Sequence, residues 1–106
     1  METYFTYDER LGIRLPDLNQ QWAAYTQEEQ ERILSEWEQI RGSIPERIKQ
    51  MEAIINERQA QLNVEPVFAD AVRLNHEIAD YASRIMDLHM LFRIDEQLET
   101  GKSHSG

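Results

Sequence analysis

VFADAVRLNHEIADYASRIMDLHMLF, residues 67–92, is the stretch that decides the fold. Within it Val67, Ala71, Leu74, Ile78, Tyr81, Ile85, Leu88 and Phe92 recur at alternating spacings of four and three, without exception. That period is the seam of an amphipathic helix built to lie against other helices. The spacing predicts a helix from about Pro66 to Leu98, roughly 50 Å long at 1.5 Å per residue.

Working outward, Asn63-Val64-Glu65-Pro66 breaks the pattern, and so short a connection makes its flanking helices antiparallel neighbours. Upstream, Ile44, Ile48, Met51, Ile55 and Leu62 share one heptad phase, with Arg58 where a sixth apolar residue belongs. An arginine there lays its stem along the core and reaches for a carboxylate or water. Ser43-Ile44-Pro45-Glu46 reads as the capping box of this helix, and Gly42 as the stop of the one before. That earlier helix opens at a second capping box, Thr26-Gln27-Glu28-Glu29, and carries Ile33, Leu34, Trp37 and Ile40 as its stripe. Pro16-Asp17 opens a short helical stretch with Leu18, Trp22 and Tyr25 on one side. Tyr4, Phe5 and Tyr7 read as an aromatic arm or short helix pressed on the bundle.

The expected fold is therefore all-α: an antiparallel bundle of three main helices plus a short N-terminal helix. One helical domain is expected over 1–100, with a disordered polar tail over 101–106. The helix expected over 44–62 is much shorter than the last one, which would overhang it by several turns. The overhang is also the most apolar part of the chain, so a homodimer is expected to cover it, with Ile85, Leu88, Leu91 and Phe92 at the interface. Met86, Met90 and Phe92 offer an adaptable surface for a further protein partner.

Composition narrows the function classes. The chain has 106 residues and a net charge of −9. A diffuse acidic surface opposes binding to nucleic acid or to anionic lipid, both of which need clustered Lys and Arg. With no cysteine, disulfides, thiolate metal sites and cysteine nucleophiles are excluded together. The first residues lack the basic start and apolar run of a signal peptide, and no apolar run approaches a membrane span, so a cytoplasmic location is expected.

Chemistry has few carriers. Glu77 and Asp80 lie on adjacent turns of one helix face, a spacing that can hold Mg²⁺ through oxygen ligands. Glu77-Ile78-Ala79-Asp80-Tyr81-Ala82 resembles half of the signature of all-helical nucleotide pyrophosphohydrolases of the MazG type. The resemblance implies a magnesium site of four carboxylates that hydrolyses nucleoside triphosphates; its other half should be a Glu-x-x-Glu on the preceding helix, where Glu46, Glu52 and Glu57 lack that spacing. The run from Ile48 to Arg58 is faintly similar to the long helix of small helical chorismate mutases, which implies a dicarboxylate held by Arg41 and Arg58; the lysine of that pattern does not follow until Lys102. His76 and Asp80 are four apart, His89 flanks the apolar seam and His104 is in the tail. Ser35, Ser43 and Ser83 have no nucleophile-elbow context. No catalytic residue and no cofactor is assigned. The expected function is a non-enzymatic helical protein, an adaptor or regulator acting through protein–protein contacts. The alternative is a magnesium-dependent pyrophosphohydrolase using Glu77 and Asp80.

Overall fold

The computed structural model describes residues 4–105, with side chains over 4–94. In chain order it contains strands β1 (Phe5–Asp8) and β2 (Ile13–Pro16), a single 3₁₀ turn at Trp22–Ala24, and two long helices, α1 (Gln27–Asn63) and α2 (Phe68–Ser105). The chain divides into two compact units, Met1–Ile44 and Pro45–Gly106. The side chains of the expected tail, 101–106, lie outside the described residues. No helix among the described residues is long and apolar enough to cross a membrane.

This is not a bundle of three helices with a short N-terminal helix. The two helices expected on either side of Gly42 are one, 37 residues long. Pro45 has no N–H to donate to the carbonyl four residues back, and a proline inside a helix costs about 3 kcal/mol relative to alanine. The apolar seam explains why the helix continues regardless. Ile33, Trp37, Ile40, Ile44, Ile48 and Met51 are all buried, Ile44 and Met51 completely. Their spacings are four, three, four, four and three, so Ile44 serves the stripe before it and the stripe after it. The doubled four is a stutter, which locally unwinds a supercoil without breaking its helix. Ending the helix at Gly42 would take Ile44 off the seam, and burial of one such side chain stabilises by about 1.5–3 kcal/mol. The Ser43 hydroxyl, expected to cap a new helix, instead donates to the Ile40 carbonyl at 2.6 Å, as a serine does inside a helix. Leu34, assigned to the buried stripe from its spacing, is half-exposed.

In the first unit the N-terminal residues form a β-hairpin, not an arm or helix. Phe5, Thr6, Tyr7 and Asp8 pair with Pro16, Leu15, Arg14 and Ile13 in antiparallel register. Asp8 makes the turn: its carboxylate accepts from Leu11 N at 2.9 Å and its carbonyl from Gly12 N at 2.7 Å. Gly12 has φ 72°, the left-handed conformation that a residue without Cβ adopts at no steric cost. Tyr4, Phe5, Leu11, Ile13 and Tyr25 are buried with Ile33 and Trp37 as the core of this unit. Two polar bonds tie the hairpin to α1: Tyr4 OH donates to Glu29 Oε2 at 3.0 Å, and Arg14 Nη1 lies 2.6 Å from Glu36 Oε1. Glu29 and Glu36 are one heptad apart and so share a face of α1. The N-terminal capping box is present as expected, Thr26 Oγ1 accepting from Glu29 N at 3.1 Å and Glu29 Oε1 from Thr26 N at 2.9 Å.

In the second unit residues 45–63 of α1 and the whole of α2 form a helical hairpin. Arg58 behaves as its place on the seam suggests, with Nε 3.4 Å from Glu77 Oε2 of α2 and Nη1 3.3 Å from Glu57 Oε1. Leu74 and Leu88 are almost wholly buried, and Ala71, Ile78, Tyr81, Ile85 and Phe92 are half-buried between and around them. The inner seam of α2 thus follows the heptad pattern, except that Val67, ahead of the helix, is exposed. Glu65 caps the start of α2 by accepting from Val67 N at 3.0 Å.

Candidate functional site

The expected metal pair is committed to guanidinium groups. Glu77 Oε2 lies 3.4 Å from both Arg73 Nη1 and Arg58 Nε. Asp80 Oδ2 lies 2.7 Å from Arg84 Nη2, whose guanidinium also sits 4.7 Å from the Tyr81 ring centroid. No group of three or more histidine, aspartate or glutamate side chains that could hold a metal ion occurs among the described residues. The four-carboxylate set that the resemblance implies is therefore not assembled among the described residues. His76 and Asp80 border a shallow recess of about 510 Å³ with Asn75, Ile78 and Ala79. His89 is exposed, and the His104 side chain lies outside the described residues.

The arginines proposed for a dicarboxylate are likewise engaged. Arg41 is bound by Glu38 at 2.8 Å, and Arg58 by Glu57 and Glu77 as above. Continuity of α1 puts both arginines on one helix, but each is neutralised by a local acid.

The residues expected at an interface divide. Leu88 is completely buried within the single chain, while Ile85, Leu91 and Phe92 are half-buried. The separate short helix over 44–62 from which an overhang was inferred does not exist, since those residues belong to α1, which is 37 residues long.

What α2 exposes is a different set. Phe68 is 82% exposed, Met86 66%, Met90 59%, Ile94 41% and Val72 38%. At 3.6 residues per turn these five lie within an arc of about 80°, roughly 140° round the helix from the inner seam. Ala79, Ala82 and Ser83 occupy the middle of the same side and are exposed. The outer side of α2 is thus large and apolar at both ends and small in the middle. Met86 and Met90 were expected at a partner surface, but Phe68, Val72 and Ile94 on the same side were not, because the stripe lies far round the helix from the stronger inner seam. The signal was present as Phe68-x-x-x-Val72 and Met86-x-x-x-Met90-x-x-x-Ile94. No family model matches this chain, and neither a characterised protein nor a solved structure resembles it closely enough to count as a relative.

Proposed function

We propose that this protein acts through protein–protein contact, as a helical adaptor or regulator that self-associates through the outer face of α2. The observation that carries the reading is the exposed stripe Met86, Met90 and Ile94, each one turn beyond the last. Methionine is well suited to the role, because its unbranched, polarizable side chain adapts to a facing surface. The ion-paired state of Glu77 and Asp80 supports the same reading over the magnesium enzyme.

The test is the mass in solution by light scattering behind a sizing column, for the wild type and for the double variant Met86→Asp, Met90→Asp. A wild-type dimer and a variant monomer with unchanged helical circular dichroism are expected. Both side chains are mostly in water in the single chain, so their loss leaves its fold intact. A wild-type monomer at high micromolar concentration overturns the reading.

A further inference from the structure

Met86, His89 and Met90 bring two thioethers and an imidazole to one place on α2. His89 is three residues beyond Met86 and Met90 is four beyond it, and residues so spaced on a helix are surface neighbours, about 5–6 Å apart at Cβ. Met86 is thus the common neighbour of the other two. All three are exposed. Met51, the other methionine with a described side chain, is fully buried and serves the core. Among the described residues no side chain hydrogen-bonds or ion-pairs with the His89 imidazole; the bond made at this residue is to its backbone carbonyl, which accepts from Arg93 Nε at 3.3 Å. A contact surface alone would be served as well by leucine, and it gives no role to the histidine between the two methionines.

The donor set selects the ion. Thioether sulfur is a soft ligand that favours Cu(I), and imidazole suits copper as well. Magnesium and calcium take oxygen ligands, and a structural zinc site takes four ligands from thiolate, imidazole and carboxylate. Neither set is present: the chain has no cysteine, and no three histidine or carboxylate side chains gather among the described residues. Asp87, the nearest acid along the chain, lies roughly 160° round the helix from His89, and it already has a partner. The Arg93 guanidinium beside His89 repels a cation in proportion to its charge, so it opposes a divalent ion more than a monovalent one. We propose that Met86, His89 and Met90 form a site for a soft monovalent metal ion of the Cu(I) type, held by the two sulfurs and a ring nitrogen of His89. The unbranched methionine side chain, with three rotatable bonds, lets both sulfurs turn to an ion that the imidazole holds. One chain supplies all three ligands, so the site stands independently of the self-association proposed above.

The probe is silver(I), a redox-inert soft monovalent ion, added as the nitrate to the full chain in chloride-free buffer. The absence of cysteine means that no thiolate competes for it. Calorimetry reads the affinity, and NMR of the methionine methyl groups and histidine rings reads the place. The tightest-bound ion should move the Met86 and Met90 methyl signals and the His89 ring signals together, and leave Met51 unmoved. The double variant Met86→Leu, Met90→Leu keeps the apolar bulk of the stripe and removes both sulfurs. It should weaken silver binding at least about tenfold, a loss that even outer partners of a metal site can cause, while the mass in solution and the helical circular dichroism stay as in the wild type. His89→Gln should weaken it to a similar degree. Binding by these residues in a sample that is monomeric supports the site equally, since no second chain is needed. Silver affinity unchanged in the leucine double variant, or ring signals that move at His76 or His104 in place of His89, overturns the site. Zinc(II) moving the same two methyl signals at the same concentration overturns the assignment to a soft monovalent ion.

Discussion

Glu29 shows how much one side chain does when a cap and a tertiary contact share it. Its carboxylate accepts from the Thr26 backbone N–H and from the Tyr4 hydroxyl, while its own N–H donates to the Thr26 hydroxyl. The Thr26 backbone hydrogen bond above all, then the Tyr4 and Thr26 side-chain bonds, hold its carboxyl below the usual carboxylate range. A carboxyl whose folded pKa is depressed adds stability that is present above its unfolded pKa and is lost as pH falls through the folded one. Acid should therefore loosen the hairpin from α1, in a window that begins near the ordinary glutamate pKa and extends below it. Glu29→Gln should lower stability at neutral pH and flatten this acid limb, as read by urea unfolding at a series of pH values. An acid limb as steep in the variant as in the wild type would assign the sensitivity to other carboxylates. Both partners of the cap were legible in the sequence, because Thr-x-x-Glu is a local pattern. Tyr4 was not, because its partner is remote along the chain and only the hairpin brings the two together.

At the scale of the element, α1 sets local propensity against packing, and packing wins. Gly42 and Pro45 together oppose the helix by about 4 kcal/mol relative to alanines. A Cβ built on Gly42 would meet nothing within 4 Å. Gly42→Ala should therefore raise stability by about 1 kcal/mol, and Pro45→Ala by up to about 3 kcal/mol, measured by thermal or urea unfolding. A loss of stability in Pro45→Ala would mean that the break in the hydrogen-bond ladder is itself required for the packing around Ile44. The hairpin of β1 and β2 teaches the complementary lesson. Asp8-x-x-x-Gly12 between two β-prone segments is a turn signal, but the short strands and clustered aromatics read equally well as an arm. Gly12, whose left-handed φ the turn needs, was the residue that distinguished the two.

At the scale of the whole molecule, the two sides of α2 are chemically alike and physically different. Leu88 is fully buried within the chain and Met86, two residues away, is mostly in water. Leu88→Ala should cost about 2–5 kcal/mol of folding stability, the usual range for truncating a core leucine. Met86→Ala should leave the unfolding of a dilute, monomeric sample within about 0.5 kcal/mol of wild type, as for surface substitutions in general. Its effect should be confined to self-association. Equal losses for the two variants at high dilution would place Met86 in the core of the single chain and remove the outer face.

The sequence by itself determined that the chain is dominated by helices, that Thr26 and Glu29 cap the first long one, that Asn63–Pro66 turns the chain back, and that Ala71 to Phe92 line the inner seam. Each of these is a local pattern, a cap or a period, whose free energy is decided by residues close along the chain. Only the tertiary structure decided that α1 runs through Gly42 and Pro45, that residues 5–8 and 13–16 pair as strands, and that Leu88 is covered within the single chain. Those outcomes turn on burial, which depends on what the rest of the chain brings to the same place. A proline's cost is local and fixed, and the gain from keeping Ile44 on an unbroken seam exists only once the chain has folded around it.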